Sequence, residues 1–443
     1  MLLMGNGRLI TRDAANPFLA DGCVAMDGNR IAAVGTTAEM KARYPRAEFV
    51  DARGGVIMPG LINAHGHLYS AFARGMAIRG YNPRGFLDIL KGLWWTLDSH
   101  LLLGDTRLSA DLTMMDCIEN GVTTMFDHHA SYGHIEGSLF AIADSAKEYG
   151  LRVSLCYEVS DRNGPEKMRA AVRENVDMLR AARADGSGML SALFGLHAQF
   201  TLSDATLAYC REQAPEGAGF HIHVAEGIED VYACLKEHGK RPVFRLQDFG
   251  ILGENTLCGH CTHVSDAEMD MLKDTGSSVV HNPESNMGNA IGCPPALAMM
   301  RKGIRVGLGT DGYTNDMLES LKVAKLLHQH NLHDATAAWA EAPQMLFDNN
   351  AKLAGKAFGR ELGVLRPGAA ADVIALDYTP PTPMNADNLS GHVLFGMSGR
   401  QVIHTVIDGR VRMKDRELPG VDKQSVLARC REAAGAVWNR INA

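Results

Sequence analysis

The segment VIMPGLINAHGH, residues 56–67, begins as an apolar run and ends on two histidines, His65 and His67, one residue apart. In a β-strand the side chains of residues i and i+2 point to the same face of the sheet. If the segment is a strand, the two imidazole rings therefore lie side by side, where they can bind one ion. Two surface histidines in a loop are the alternative, and the pair alone favours a metal site only slightly.

Seven further segments up to about residue 312 have the same form, a short apolar run that ends on an ionisable or strongly polar side chain. They are GVTTMFDHH, LRVSLCYEVSDR, SALFGLHAQ, GFHIHVAE, NTLCGHCTH, SSVVHNPES and IRVGLGTDG. Helix-like segments such as MRAAVRENVDMLRAARADG lie between them. Eight apolar strands alternating with helices predict a (β/α)₈ barrel of the TIM type, with its chemistry at the carboxyl ends of the strands. An open doubly wound sheet is the alternative, but the glycine-rich GxGxxG turn typical of that fold is absent.

The two ends of the chain have a different pattern, with short alternating strands and turn glycines. The first 55 residues include RLITRD and GCVAMDGNRIAAVG, and the last 80 or so include ADVIALD and VIHTVIDGRVRMKD, with an Asp-Gly turn. Neither end is long enough to form a core alone. We therefore predict one small β-sandwich built from residues 1–55 and 362–443, a barrel at residues 56–361, and a helix in the last stretch, KQSVLARCREAAGAVWNRI.

The composition is that of a globular protein, with 46% hydrophobic and 21% charged residues in a chain of 443. The net charge is −7 and no lysine- or arginine-rich block is present, so neither nucleic acid nor an anionic membrane is expected as a partner. No apolar run approaches the roughly 18 residues needed to span a bilayer. Gly5 interrupts the first apolar residues before a signal-peptide core could form, and we expect a cytoplasmic protein.

The nine cysteines are an odd number and are scattered, which argues against a disulfide framework. Cys258 and Cys261 form a CGHC motif with the spacing of redox and zinc sites. Because the surrounding segment is predicted to be a strand, the two side chains would point to opposite faces. We therefore interpret them as two buried thiols.

Histidines and an aspartate occur where several of the predicted barrel strands end. If these ends meet at one mouth of the barrel, the groups brought together are His65, His67, His223, His260 and Asp311. Imidazole and carboxylate ligands in this number suit Zn²⁺ or Fe²⁺. Glu226 follows His223 by three residues and could reach a water whose pKa a metal lowers towards ~7. A single histidine is more often structural than a ligand, but the combination of strand ends favours a metal site.

The segments PGLINAHGH, HIHVAE, GHCTHV, VVHNPESN and GLGTDG, in this order, resemble the successive motifs of the amidohydrolase superfamily. They are most similar to its aminohydrolase branch, which includes deaminases of guanine, cytosine, adenosine derivatives and triazines. The resemblance covers nearly the whole chain, including ADVIAL and VIDGRVRMKD. Within the branch, GLWWTLD, DHHAS, DRNG and GHVLFGMSG resemble the aminohydrolases associated with selenium metabolism and anaerobic purine breakdown.

The resemblance implies a ligand set and a catalytic set for this chain. The metal ligands would be His65, His67, His223 and Asp311, and the catalytic residues would be Glu226, His260 and Asp311. Glu226 would shuttle protons and bind a ring nitrogen of the substrate, and His260 would orient or polarise the attacking hydroxide. Binuclear relatives have a bridging lysine or glutamate at the fourth or fifth strand end, whereas the fourth strand here ends with His197. One divalent ion per chain is therefore expected, zinc first and iron as the alternative.

The substrate side is less well defined by the sequence. The resemblance makes His197 a substrate contact, and Trp95, next to Trp94, could stack on a planar heterocycle or only pack as a lid. Glu158 and Arg162 could bind ring substituents or pair with each other. The loop MAIRGYNPRGFLDILKGLWWTLDSHL departs from the usual acidic, tryptophan-containing loop of the family, which leaves the identity of the heterocycle open.

These observations predict a metal-dependent hydrolytic deaminase that releases ammonia from an aminated purine- or pyrimidine-like heterocycle. A hydrolase of the same architecture that opens a cyclic amide or displaces halide is the nearest alternative. A non-catalytic scaffold is a second alternative, although no ligand of the set is missing. The expected partner is a small heterocyclic substrate, and the resemblance also implies a homo-oligomer, with a dimer as the expected state.

Overall fold

The computed structural model describes residues 1–443, and its strands and helices alternate along most of the chain. The strands are β1 Leu2–Ile10, β2 Phe18–Asp27, β3 Arg30–Gly35, β4 Glu48–Asp51, β5 Val56–Pro59, β6 Leu61–Gly66, β7 Val122–Asp127, β8 Arg152–Leu155, β9 Leu190–Ala192, β10 Phe194–Ala198, β11 Phe220–Val224, β12 Leu257–His260, β13 Ser278–His281, β14 Val306–Leu308, β15 Val373–Leu376, β16 Val402–Ile407 and β17 Arg410–Lys414.

The helices cover the barrel and connect its strands. They are α1 Thr37–Arg43, α2 Phe86–Ile89, α3 Trp95–His100, α4 Leu103–Glu119, α5 Ser138–Tyr149, α6 Pro165–Ala184, α7 Asp204–Gln213, α8 Ile228–His238, α9 Pro242–Asp248, α10 Asp266–Thr275, α11 Pro283–Gly288, α12 Ala296–Arg301, α13 Met317–Leu332, α14 Glu341–Pro343, α15 Asn350–Phe358, α16 Leu389–Gly396 and α17 Lys423–Asn442. None of them combines the length and apolar character that a bilayer crossing requires.

The predicted (β/α)₈ barrel is confirmed, and each of the eight polar-ended segments contributes a strand. Strands β6 to β9 form one parallel sheet and β10 to β14 form another. The fourth barrel strand is interrupted at Leu193, which separates β9 from β10. Parallel bridges between Gly66 and Asp311 and between Val159 and Leu196 connect the two sheets into a ring. The carboxyl ends of all eight strands therefore face one mouth.

The segment that includes His65 is two strands rather than the single strand predicted. Residues Val56–Pro59 pair antiparallel with β15 in the terminal sheet, and Leu61–Gly66 begin the barrel. The chain passes from one sheet to the other at Gly60, where a Cβ atom would lie 2.3 Å from Cγ2 of Thr123. Only glycine fits this close approach, so the residue marks the point where the chain changes sheets.

Both chain ends build the predicted β-sandwich, which is confirmed. Its eight strands lie in the order β17-β16-β15-β5-β1-β2-β3, with β4 paired to β1. One face contributes Leu9, Val24 and Met26 to a buried cluster, and the opposite face packs Leu3 and Cys23 beneath α1. The predicted terminal helix is α17, and the indole Nε1 of Trp438 on it donates to the carbonyl of Phe72 at 2.8 Å.

The structure confirms that Cys258 and Cys261 are two buried free thiols, but it contradicts the expectation that strand alternation points them to opposite faces. The strand ends at His260, and both His260 and Cys261 adopt left-handed backbone conformations, with φ of 64° and 52°. Side-chain alternation does not continue through such a turn. The two thiols are therefore near each other, and burial followed by interaction with Cys258 raises the pKa of Cys261. All nine cysteines are free thiols.

Candidate metal-dependent active site

The histidines and the aspartate predicted from the strand ends do meet at the mouth of the barrel. Nε2 of His67 lies 2.7 Å from Oδ1 of Asp311, and Nε2 of His65 lies 3.8 Å from the same oxygen. The Nε2 atom of His260 is 3.7 Å from Oδ2 of Asp311. The rings of His65 and His223 are 5.1 Å apart, between centroids. All four histidines are buried.

Three overlapping groups of side chains here are spaced to hold an ion, with all potential ligand atoms of each group within 4.8 Å of one another. One of them, His128, Cys156 and His221, contains none of the expected ligands, whereas the other two do. The first of these two is His65, His223, His260 and Asp311, and the second is His67, His128, Glu158 and His223. The ligand set expected from the sequence takes members from both groups. The contact between His67 and Asp311 joins these two groups. His260 was expected beside the metal, and its place in the first group puts it within ligand distance of the same ion.

Hydrogen bonds at Nδ1 orient three of the histidines towards the centre of the site. The Nδ1 of His67 donates to the carbonyl of His128, and that of His223 donates to the carbonyl of His197 at 2.9 Å. His65 places Nδ1 2.8 Å from Nε2 of His221, which lies two residues before His223 on β11. When Nδ1 is occupied in this way, Nε2 is left to bind a metal, and such partners fix the ring orientation.

One ring nitrogen at the centre of the site has no partner within the protein. The Nε2 of His65 is buried and makes no hydrogen bond. Leaving a buried polar group unsatisfied costs about 1–3 kcal/mol. A cation among His65, His223 and Asp311 satisfies this nitrogen, and the imidazole and carboxylate set is suited to zinc. The residues therefore fit one divalent ion.

Asp311 follows β14 in a left-handed conformation, with φ of 55°, which few residues other than glycine adopt without strain. The hydroxyl of Ser285 donates to its Oδ2. Burial alone would raise the pKa of this carboxyl, but His67 and His260 hold it well below its usual range. Asp311 is therefore ionised in the neutral pH range, as a metal ligand must be.

Glu226 lies just beyond β11, after Ala225, whose φ is 46°. Its Oε2 is 3.8 Å from Nε2 of His260. Burial, and then the charge of Asp311, raise the pKa of Glu226 well above its usual range. A carboxyl group in this environment can hold a proton at neutral pH and donate it to a bound molecule.

A side chain on α11, the helix that follows β13, orients the ring of His260. Its Nδ1 lies 2.8 Å from Oδ1 of Asn286, on α11, so the ring presents Nε2 to Glu226 and Asp311. Neither Asn286 nor Ser285 was identified from the sequence, although both lie in the segment VVHNPESN.

A cavity of about 30 Å³ adjoins the metal ligands. That volume holds about two water molecules, because one water needs roughly 10–15 Å³ on the same measure. Its lining includes three of the four expected ligands and three of the four expected substrate contacts. The lining residues are His67, Tyr69, Leu90, Trp94, Trp95, Glu158, His197, His223, Glu226, Asn289 and Asp311.

Trp95 stands against His197 in this cavity, with ring centroids 5.9 Å apart, and its indole Nε1 is buried without a partner. The segment before it, Leu90–Trp94, is a π-helical turn that joins α2 to α3. Such turns occur often at functional sites. The tryptophans thus form one wall of the cavity.

Glu158 and Arg162 do not pair with each other. Oε1 of Glu158 lies 3.1 Å from Nδ1 of His128, and Arg162 makes a double hydrogen bond to the buried Asp98. Arg162 does not line the cavity, whereas Glu158 does. Asp98 and His128 were not identified from the sequence, where the only signals were the charge of Asp98 and the position of His128 in the DHH triplet.

The sequence profile of the Amidohydrolase family matches residues 56–412, and an imidazolonepropionase-like composite domain matches residues 22–47. The chain is 32% identical to the 5'-deoxyadenosine deaminase of Methanosarcina barkeri, over 100% of this chain and 99% of the relative. It is also 32% identical to the 5-methylthioadenosine/S-adenosylhomocysteine deaminase of Thermococcus onnurineus, over 94% of this chain and 95% of that protein.

Solved structures give the same result for the fold. An adenosine deaminase of Xanthomonas campestris with bound zinc superposes with a TM-score of 0.86 at 24% identity, over 99% of this chain and 98% of that one. A zinc-containing atrazine chlorohydrolase of Arthrobacter aurescens reaches 0.82 at 20% identity, over 98% and 100%.

The fold, the ligand cluster and these matches define a metal-dependent hydrolase that acts on carbon–nitrogen bonds other than peptide bonds. The chain belongs to the Amidohydrolase family, and it takes one divalent metal ion, with zinc favoured. Its full-length relatives named above are deaminases.

Proposed function

We propose that this protein is a zinc-dependent deaminase that hydrolyses the exocyclic amino group of an adenine-type ring carried by a nucleoside. The observation that carries the proposal is the juxtaposition of Glu226, with its raised pKa, and the metal-ligating set around one small cavity. The full-length similarity to deaminases of adenosine derivatives supports the choice of ring.

In this proposal His65, His67, His223 and Asp311 hold the ion. A zinc ion in such a site supplies a nucleophile at neutral pH, because it lowers the pKa of water to about 7. Nε2 of His260 is 3.7 Å from Oδ2 of Asp311, so the two groups orient the attacking water between them.

Glu226 moves the protons of the reaction. It donates a proton to the ring nitrogen next to the amino-bearing carbon as water attacks that carbon, and it takes the proton that the water gives up. The tetrahedral carbon then expels the amino group as ammonia after Glu226 returns that proton to it, and the remaining proton of the added hydroxyl passes to Glu226 as the carbonyl forms, which restores the protonated carboxyl group. One water is consumed, the ring keeps its other bonds, and the carbon ends as a carbonyl group.

The substrate-binding residues of this proposal are His197, Trp95 and Glu158, which line the cavity. Arg162 does not line the cavity but supports Trp95 from outside it. Its guanidinium lies over the Trp95 ring at 5.1 Å and pairs with Asp98. In the described conformation the cavity is far smaller than a nucleoside. A second cavity, of about 260 Å³, also borders His67, Trp94 and Asp311. Trp94 lines both cavities, so movement of the wall that includes Trp94 and Trp95 would join them into a larger substrate site.

The test is ammonia release by the zinc-loaded protein from adenosine, 5'-deoxyadenosine, S-adenosylhomocysteine and guanine, followed by identification of the product. The proposal expects ammonia and the 6-oxo product from at least one adenine nucleoside. Atrazine serves as the competing substrate, because a halide-displacing hydrolase would release chloride from it. Chloride release from atrazine without ammonia release from any adenine nucleoside would refute the proposal.

The resemblance to the family also leads us to propose a homodimer that works in the cytoplasm. Light scattering on the purified protein tests the first statement, since it gives a mass of 95.8 kDa for two chains of 47.9 kDa each. Fractionation of cells that produce the protein tests the second.

A further inference from the structure

The amino-terminal end of the barrel, opposite the metal ligands, is covered by a helix but retains a cavity. Helix α15 lies against both β6, the first barrel strand, and β9, the first part of the fourth, so it crosses this end of the ring. A cavity of about 310 Å³ remains between α15, β9 and the segment that precedes β11. Small-molecule sites have volumes of about 300–1,000 Å³, so this amino-terminal cavity is large enough for a ligand.

The amino-terminal cavity lies where the barrel wall is open. Strand β9 pairs with β8 but has no strand on its other side, because β11, the fifth barrel strand, pairs only with β10 and β12. Residues 217–219, which precede β11, line the other side of the opening. The first hydrogen bond across it comes only at Phe194, whose N–H donates to the carbonyl of Gly219 at 2.8 Å.

Two residues of β9 direct their backbone groups into this opening. The carbonyl of Met189 accepts from the N–H of Val153 on β8 at 3.0 Å. Successive residues of a strand direct their N–H and C=O groups to alternate sides. Leu190 and Ala192 therefore direct theirs away from β8, where no strand pairs with them. Each of the two residues thus offers the cavity a donor next to an acceptor.

The walls of the amino-terminal cavity are mainly apolar. Ten of its 17 lining residues are hydrophobic, among them Leu179, Leu257 and Leu353. Apolar walls with a few fixed polar groups are typical of sites that bind a flat ring. An open strand edge therefore lies beside an apolar space.

The rim of the cavity carries a positive charge that no carboxylate neutralises. Arg183, near the end of α6, is exposed and donates to the carbonyl of Glu216, but it forms no ion pair. The other cation of the lining, Lys356, lies 3.4 Å from Oε2 of Glu254. Arg183 is therefore available to an anionic group of a ligand.

We propose that the amino-terminal cavity binds a purine nucleoside monophosphate, with one edge of the ring paired to the backbone of Leu190 or Ala192 and the phosphate bound by Arg183. Aminated and 6-oxo purines both have a donor next to an acceptor on one edge, so both match the N–H and C=O of one residue. The planar donors of arginine suit phosphate. This second site is independent of the reaction proposed at the barrel mouth.

The experiment titrates the zinc-loaded protein with inosine 5'-monophosphate by calorimetry and locates the ligand in crystals soaked with it. We expect one molecule per chain in the amino-terminal cavity, bound more tightly than about 1 mM. Inosine lacks the phosphate, and the 1-methyl derivative of the nucleotide lacks the ring N–H donor. Each should bind there at least about tenfold more weakly, because Arg183 or the strand edge loses a partner.

Adenosine 5'-monophosphate distinguishes the aminated ring from the oxo ring. It is titrated into the Glu226→Gln protein, in which the proposed reaction is slow, and occupation of the amino-terminal cavity by either nucleotide supports the inference. If neither binds at about 1 mM, or if both occupy only the barrel mouth, the inference is overturned.

Two variants test the amino-terminal cavity without altering the barrel mouth. Arg183→Gln removes the cation, and Ala357→Phe fills part of the space that Ala357 lines. Each should weaken the binding of inosine 5'-monophosphate at least about tenfold, with Tm showing that the variant is folded. Arg180→Gln is the control, because Arg180 is exposed on the same helix, pairs with Asp177 and does not line the cavity. Unchanged affinity in either folded test variant would contradict the inference.

Discussion

Arg162 and Asp98 form a doubly hydrogen-bonded ion pair, with distances of 2.6 Å and 3.2 Å between nitrogen and oxygen. The Asp98 side chain is 1% exposed. The guanidinium carbon also lies 5.1 Å from the centre of the Trp95 ring and 4.5 Å from that of Tyr132. Arg162 therefore fixes the segment that contains Trp95 to the loop after β8.

Replacing Arg162 with alanine should destabilise the protein, because Asp98 would remain buried without a partner. Removing one member of a buried ion pair costs about 3–5 kcal/mol. Thermal and denaturant unfolding measure the loss, and KM for the substrate should rise as Trp95 loses its support. The control is the double change Arg162→Met with Asp98→Leu, which removes both charges and should restore much of the stability. Equal stability of the Arg162→Ala and native proteins would show that the pair does not hold this segment.

Glu284 gives the protein a pH-dependent stability. Burial raises its pKa from 4.5 to about 7, although the single hydroxyl proton of Ser320, whose Oγ lies 2.8 and 2.9 Å from the two carboxylate oxygens, is donated to this carboxylate. Because the folded protein binds this proton more tightly than the unfolded chain, the stability that Glu284 contributes is present below pH 4.5 and is lost as the pH rises to about 7. Glu284→Gln should therefore raise Tm at pH 8.5 and have little effect at pH 4.5. Glu432→Gln, an exposed change on α17, should alter Tm at neither pH.

The CGHC motif should not bind the metal. Neither Cys258 nor Cys261 belongs to a group of side chains spaced to hold an ion. Changing both to serine should leave the metal content intact, as measured by elemental analysis, even though the two thiols are close together. Loss of the ion from a folded double variant would make the cysteines ligands and would overturn the assignment of the site to the barrel mouth.

The metal content of the purified protein should be one ion per chain. No lysine occupies the end of the fourth strand, where His197 stands instead. Removing the ion with a chelator should lower Tm, because the buried Nε2 of His65 then has no partner. Two tightly bound ions per chain, or a Tm unaffected by the chelator, would contradict this description of the site.

The barrel could be predicted from the sequence because each strand ends on a polar side chain that parallel strands bring to one mouth. His65, His67 and Asp311 are local features of this kind. The break at Gly60 could not be predicted, since it results from contact with Thr123, which is far away in the chain. The partner of Arg162 was also missed, because Asp98 lies in the short helix α3, outside the barrel strands whose ends could be aligned from the sequence.

The tautomers of the site histidines were beyond prediction for the same reason. They depend on backbone carbonyls such as those of His128 and His197, which only the folded chain brings near. The predicted alternation of side chains between the two faces of the strand was wrong at Cys261. The preceding residue, His260, already has a positive φ, so the extended backbone ends there. The residue pattern within one strand or helix predicts that strand or helix. Contacts between residues of different elements could be identified only from the structure.

The most direct test of the account is the Glu226→Gln variant, assayed for metal content and for ammonia release from the nucleoside that the screen identifies. Glutamine keeps the size of the side chain but cannot exchange a proton, and residue 226 lies outside the proposed ligand set. The metal should therefore remain at one ion per chain, while kcat falls by about 10²–10⁴-fold or more. Asp311→Asn is the comparison, because it alters a ligand and should reduce both metal content and activity. Near-normal turnover by the metal-loaded Glu226→Gln protein would contradict the proposed mechanism.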